Sequence, residues 1–431
     1  MSKHNSIIEM LCKNHLSVSG PWSMGRLGEY HLQSAFQPIF CLSHPHPVGF
    51  EGLIRTSRQS DGQSVSPQQL FSQASDEEEV ILIDRLCRLL HVHNFQALAP
   101  EMAWLFLNLN PRVVLNGQSQ GIYLTTRLLQ RAGLAPRRVV IEILEKEIHD
   151  EGLLTAAMAH YREQGYLTAV DDFGAGQSNF DRIWRLQPDI VKLDRSIIAN
   201  SVNNIRARRV LPSLVSLIHE AGCLVLIEGV ETHEEAVISM DSDVDLVQGY
   251  YFCRPQSAMQ SWRDAGGERV QLLNHELREK SSQDADRQLR ESTHYLDLFY
   301  QAVRDATDDA SLFLGCDQLL QKKGFVCCFV LDGNGRQLGP NRVLQGSVAS
   351  SEKKYDHIAG FSGADWSRRS YFRRAVARLG EVQITGPYLS LPNAHMSITF
   401  SVAIHWANGE VRVVCADLEW SGNANIITGS A

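Results

Sequence analysis

The chain has 431 residues and a formal charge of −8. That length exceeds one ordinary core and predicts two domains, and acidic residues spread along the whole chain argue against a general nucleic-acid surface, which needs basic patches that displace counterions. The nine cysteines form no Cys-x-x-Cys pair and no His/Cys zinc spacing, so they read as reduced core thiols of a cytoplasmic protein.

In chain order, residues 1–31 read as an N-terminal extension. Ile7, Ile8, Met10 and Leu11 suit a short amphipathic helix that packs on the following domain or on a partner chain. The opening residues lack the basic-then-apolar order of a signal peptide, and no run approaches the ~20 apolar residues of a membrane-spanning helix.

From 32 to 256, short apolar runs alternate with helix-patterned segments, which predicts an α/β domain. The strand candidates are Phe36–Leu42, Val48–Leu53, Met102–Leu109, Val139–Leu144, Leu167–Asp171, Ile190–Leu193, Leu224–Glu228 and Leu246–Val247. Eight strands suit a closed barrel, and none carries the Gly-x-Gly-x-x-Gly turn of a dinucleotide fold.

Residues 257–310 are polar, charged and helical, with Leu272, Leu273, Leu277, Leu289, Leu296 and Leu298 as an irregular apolar stripe. This connecting segment reads either as a solvated helix of the barrel or as a signalling or dimerisation helix. Residues 311–431 carry two hairpin signals. One is Gly324–Leu331 with the Asp332-Gly333-Asn334-Gly335 turn and Arg336-Gln337-Leu338, and the other is Ser397–Trp406 with Val411–Trp420. With the helix-patterned Trp366–Leu379 between them, the expectation is a smaller α+β domain, an antiparallel sheet with helices on one side.

The chemistry gathers at strand ends. Asp171 and Asp172 follow an apolar strand directly, and by themselves fit a helix cap or an Asx turn as well as a cation site. Glu51, Asn108 and Glu142 end three other apolar runs, and a barrel brings such ends to one rim. The set supplies oxygen ligands only, which suits hard ions such as magnesium or manganese and excludes a typical zinc site. Two such ions can hydrolyse a phosphodiester by acidifying a water and clamping the phosphate.

Lys192, flanked by Ile190, Val191 and Leu193, suits orientation of the attacking water or neutralisation of charge, because a lysine amid carboxylates stays protonated. Glu228 fits either a cation site or a carboxylate facing the dipole of the next helix. Glu145, three residues past Glu142, could hold the loop that follows Asp172. Arg55 offers paired donors to a phosphate.

These residues carry a resemblance. Glu51-Gly52-Leu53-Ile54-Arg55, Asn108-Leu109-Asn110-Pro111, Glu142-Ile143-Leu144-Glu145, Asp171-Asp172-Phe173-Gly174, Val191-Lys192-Leu193-Asp194, Glu228-Gly229-Val230-Glu231 and Gln248-Gly249-Tyr250 resemble the ordered motifs of the EAL family. The resemblance implies a TIM-like (β/α)8 barrel whose first strand runs against the others. It implies a cyclic di-GMP phosphodiesterase that yields linear pGpG with two magnesium or manganese ions, and a homodimer.

It further implies that Glu51, Asn108, Glu142 and Asp171 bind one ion and Asp171 and Asp172 the other. Lys192, Glu228 and Gln248 would surround the attacking water, and Glu145 would steady the loop. Gln37, Leu53, Arg55 and Pro255 match positions that border the dinucleotide. Gly52 stands where alanine is usual, Gln177 where an aromatic is common, and Cys253 where glycine is frequent. The C-terminal part resembles, more loosely, PAS- or Cache-like sensory domains, through Tyr371-Phe372-Arg373-Arg374-Ala375, Thr385–Ser390 and Ser397–Val402. That implies regulation by an unknown small-molecule or protein signal. The alternative is a binding protein that captures cyclic di-GMP, or a protein adaptor, without turnover.

Overall fold

The computed structural model describes residues 3–19, 22–42, 46–98, 103–110, 120–144, 151–176, 180–257, 266–343, 362–389, 396–406 and 408–419. The chain divides into two compact units, Met1–Arg278 and Glu279–Ala431. One helix, Gly267–Arg304, runs through that division. No described helix is long and apolar enough to cross a membrane.

The first unit begins with helix α1 (Lys3–His15), whose Leu11 is buried in a core shared with the barrel strands. A hairpin of β1 (Leu16–Ser19) and β2 (Trp22–Leu27) follows, and β2 pairs antiparallel with β3 (Tyr30–Cys41). The extension therefore adds two strands to the barrel sheet, which its sequence pattern did not announce.

The barrel closes through β3, β4 (Pro47–Arg58), β6 (Trp104–Leu109), β7 (Val139–Leu144), β8 (Leu167–Phe173), β9 (Ile190–Leu193), β10 (Leu224–Ile227) and β11 (Leu246–Val247), which returns to β3. Short strands β5 (Ser64–Val65) and β12 (Gln256–Ser257) pair with β4 and β3 at its edge. β4 and the six barrel strands after it run parallel to one another, while β3 runs antiparallel to both its neighbours.

The apolar runs become strands because both their faces are buried, one against helices and one inside the barrel. Ile39, Phe106, Val140, Ala169, Ile190, Leu226 and Leu246, one from each barrel strand except β4, form the interior layer and are 0–3% exposed. Burial of each larger side chain in this layer stabilises by about 1.5–3 kcal/mol. Side chains alternate along a strand, so the residues two positions nearer the C-terminal rim must face inward as well.

After β4 come α2 (Pro67–Ser72) and α3 (Glu77–Leu98), which packs behind β3, β4 and β6. Three glutamates in the first turn of α3 complement its dipole.

The second unit holds an antiparallel sheet in the order β14 (Arg342–Val343), β13 (Phe325–Asp332), β17 (Val411–Glu419), β16 (Met396–His405), β15 (Gln383–Leu389). Two sequence expectations are corrected here. Arg336-Gln337-Leu338 turns back on β13 through the Leu331–Gln337 bridge and the Leu338 N–H to the Val330 carbonyl, and bridges Asp365 through Arg336, but it is not a strand of the sheet, whose strands paired with β13 are β14 and β17.

Helices also cover both faces of this sheet instead of one. The face carrying Cys328, Val330, Phe400 and Ala416 packs with Phe299, Val303 and the helix Asp309–Leu320. The face carrying Cys327, Phe329, Ala403 and Cys415 packs with Tyr371, Phe372 and Ala375 of the helix Ser370–Ala377. Runs such as Phe325–Leu331 are continuously apolar because neither face meets water.

Candidate active site

The layer above the apolar interior is the polar rim. Glu51, Asn108, Glu142, Asp171, Lys192, Glu228 and Gln248 stand two residues beyond Gly49, Phe106, Val140, Ala169, Ile190, Leu226 and Leu246. Gln37 stands two before Ile39 on the reversed strand, opposite Glu51. The alternation that fills the barrel thus aims these side chains at one place.

Lys192 is the centre of this rim. It is 1% exposed, so it is no surface lysine, and its Nζ lies 2.6 Å from Glu142 Oε1, 3.1 Å from Asp171 Oδ1 and 2.5 Å from Glu228 Oε1. Burial works against its charge, but the Asp171, Glu142 and Glu228 carboxylates outweigh that and hold its pKa well above the ordinary lysine range.

Glu51 anchors the neighbouring sector. Its Oε1 accepts from Asn108 Nδ2 at 2.9 Å and its Oε2 from Gln248 Nε2 at 2.8 Å.

The adjacent pair Asp171 and Asp172 would point to opposite faces of a regular strand. The register between β8 and β9 shifts between Val170 and Phe173, and Asp172 adopts φ +59°, a conformation that non-glycine residues rarely take. The irregularity lets both carboxylates reach the rim, where ligand atoms of Asp171, Asp172 and Glu228 lie within 4.8 Å of one another. Asp171 Oδ1 also accepts the Asp172 N–H at 2.9 Å, so the local turn and the cluster coexist. Glu228 does not cap the helix after it, because Thr232 and Glu235 form that cap.

Desolvation dominates the electrostatics of the carboxylates. It raises Glu142 well above the usual range and pushes Glu228 up to about 8, against the opposing pull of Lys192. Four carboxylates, Glu51, Glu142, Asp171 and Glu228, act on the one buried ammonium of Lys192, and Asp172 adds a fifth beside Asp171 and Glu228.

Divalent cations fit this surplus of negative charge. Glu142 Oε2 is buried without a hydrogen-bond partner, an acceptor that a cation would satisfy, and every other donor atom on offer is a hard oxygen.

The substrate-side candidates lie on the same sector. Gln37 Nε2 donates to the Cys253 carbonyl at 3.3 Å, and Leu53 and Arg55 continue the inward face of β4 from Glu51. Pro255 immediately precedes β12, which pairs with β3. Glu145 and Gln177 lie outside the described residues.

Two glycines are fixed by close approach. A Cβ on Gly249 would sit 2.0 Å from the Val230 carbonyl oxygen, so only glycine lets the chain after Gln248 pass there. A Cβ on Gly52 would meet His91 Cγ at 2.9 Å, which explains the absence of the alanine usual in the resembled signature. Gly52→Ala is expected to cost about 1–3 kcal/mol through overpacking. Denaturant midpoints would check this, and adding His91→Ala should cost less than the two single losses summed.

Sequence reading missed the buried polar side of α3, namely Asp84, Arg88, His91 and Asn94. Their spacing of four, three and three residues was a visible signal of a single helix face.

Comparison with known proteins follows the same lines. The family profile of the EAL domain matches residues 25–255. YkuI of Bacillus subtilis, described as an uncharacterized EAL-domain containing protein, is 24% identical over 384 residues, spanning 85% of this chain and 90% of YkuI. A crystal structure of YkuI in complex with substrate c-di-GMP and calcium superposes with a TM-score of 0.77 and 21% identity over 98% of this chain and 100% of that one. At this identity the likeness concerns the fold alone.

RocR of Pseudomonas aeruginosa, a cyclic di-GMP phosphodiesterase, is 34% identical over 134 residues, 30% of this chain and 33% of RocR. PdeA of Escherichia coli, a probable cyclic di-GMP phosphodiesterase, is 28% identical over 178 residues, 41% of this chain and 24% of PdeA. The chain thus spans nine-tenths of YkuI but a third or less of RocR and PdeA.

Proposed function

The chain belongs to the EAL family, and from that premise and the oxygen-lined rim we propose that it hydrolyses cyclic di-GMP to linear pGpG. The observation that carries this reading is the convergence of carboxylates from separate strands around the buried Lys192.

In this reading Glu51, Asn108, Glu142, Asp171 and Asp172 hold two magnesium or manganese ions. Bound there, the ions would lower the pKa of water and offset charge on the phosphate. Lys192 keeps its proton throughout and supplies fixed positive charge where the phosphoryl oxygens gather negative charge. Glu228 accepts a hydrogen bond from the attacking water, and Gln248 orients it from the Glu51 side. Water attacks phosphorus, the ribose oxygen departs as a hydroxyl, and the ring opens to a linear dinucleotide. Arg55 presents its guanidinium to the second phosphate, while Gln37, Leu53 and Pro255 border the bases. Glu145 steadies the loop after Asp172.

The same reading takes the chain as a cytoplasmic homodimer with four segments: residues 1–31, the catalytic barrel 32–256, the connecting helical segment 257–310 and a regulatory domain 311–431.

The test is chromatography of products from purified full-length protein and cyclic di-GMP. Linear pGpG should form with magnesium or manganese, should vanish with a chelator, and should diminish when calcium competes. Dinucleotide bound tightly but left intact under these conditions would instead establish a receptor. Truncation after Ser257 should change the rate, and an unchanged rate would remove the regulatory part of the reading.

A further inference from the structure

Helix α3 carries four buried polar side chains on the face it turns to the barrel. Asp84, Arg88, His91 and Asn94 are 4%, 3%, 4% and 1% exposed. Apolar side chains of similar volume would be no worse for stability at the ion-paired positions, because desolvation of a buried pair offsets much of its attraction. The pair therefore calls for a role beyond holding the helix on the sheet.

Its contacts supply one. Asp84 Oδ2 pairs with Arg88 Nη2, and Arg88 Nη1 donates to Thr125 Oγ1 of the helix Gln120–Arg131. Asp84 Oδ1 accepts the backbone N–H of Asn110 at 3.1 Å. Asn110 is the first residue past β6, and Asn108 lies two residues before it. Asn108 is exposed at the rim, so the course of its backbone, more than packing, sets where its amide meets Glu51 Oε1 at 2.9 Å. Glu51 in turn receives Gln248.

We propose that Asp84 is a positioning residue for the cation-binding rim: its side-chain acceptor pins the end of β6 and thereby fixes Asn108 against Glu51, while Arg88 neutralises its buried charge. The inference rests on the reading of the rim as a divalent-cation site. Groups that orient metal ligands without touching the metal commonly change affinity by about 10- to 100-fold when lost.

Titration calorimetry with manganese alone, on the full chain, tests it. Asp84→Leu/Arg88→Met removes the acceptor for the Asn110 N–H together with both charges, whereas Asp84→Asn/Arg88→Met removes the charges and keeps an acceptor. The leucine variant should bind manganese about tenfold or more weakly with an unchanged or raised unfolding temperature, and the asparagine variant should return close to wild type. Equal binding by wild type and both variants, or equal loss in both variants, overturns the proposal.

Should the leucine variant fail to fold, hydrogen exchange of the Asn110 amide in wild type decides. Protection well beyond that of exposed loop amides supports the pin, and exchange as fast as theirs overturns it. Wild-type protein that takes up no manganese sinks the cation reading and this inference together, whereas wild-type binding with indifferent variants sinks the inference alone.

Discussion

Lys192→Met should leave a barrel that folds but barely cleaves, with the rate down by about 10²- to 10⁴-fold, the range for loss of a group that orients or stabilises the reacting centre. The methionine keeps the length of the side chain and removes its charge. Glu142, Asp171 and Glu228 then lose the ammonium that lies 2.5–3.1 Å from them. Breaking a buried ionic cluster from one side costs about 3–5 kcal/mol when the remaining charges cannot relax.

Here they can relax in part, by taking up protons. Burial already raises Glu142 and holds Glu228 at about 8 in the metal-free wild type. A carboxyl group whose folded pKa lies above its unfolded value stabilises the fold at low pH and loses that contribution as pH rises through the folded pKa. The destabilisation of Lys192→Met should therefore be small near pH 5, grow through pH 8, and shrink when magnesium restores positive charge. Urea unfolding at pH 6 and pH 9, with and without magnesium, checks the pattern. Wild-type cleavage by this variant would reject the role assigned to Lys192.

The rim was legible in the sequence because a period of two governs it. Phe106 and Asn108, Val140 and Glu142, Ala169 and Asp171, Ile190 and Lys192 are each an inward apolar residue followed, two positions on, by a polar one. A buried parallel strand with a polar end is thus readable as a barrel strand that presents a side chain at the C-terminal rim.

The period does not carry the rest. Asp172 reaches the rim through an irregular register and a positive φ, which no local pattern encodes, although its neighbour Asp171 drew attention to it. Trp22–Leu27 is short and meets its partner β3 across a tight turn at Gly28, so its pairing registered only in three dimensions. Asp84 and Arg88 sit in an otherwise apolar helix pattern and resemble an ordinary surface i,i+4 pair until their 3–4% exposure is known. In the second unit, the apolar runs of β13 and β17 signalled strands but not that both faces would be covered.

Glu51→Ala should share the lost cleavage of Lys192→Met but not its destabilisation, with near-complete loss of cleavage and no loss of metal-free stability. Glu51 spans the site, receiving Asn108 at 2.9 Å through one oxygen and Gln248 at 2.8 Å through the other. Alanine removes a cation ligand and frees both amides from their shared anchor, so ligand geometry and water orientation fail together. A loss of at least about 10²-fold follows from one such electrostatic contact alone.

In the metal-free protein, however, Glu51 is one of the like charges that raise Glu142 and Glu228, and its removal relieves that repulsion. The variant should unfold at the same or higher urea concentration than wild type at pH 8, its stability should respond less to added magnesium, and the carboxyls of Glu142 and Glu228 should titrate lower. Cleavage at the wild-type rate would dissolve the site. Lost cleavage with stability falling as steeply as in Lys192→Met would show instead that Glu51 holds the barrel together, and that its carboxylate is not there to receive cations.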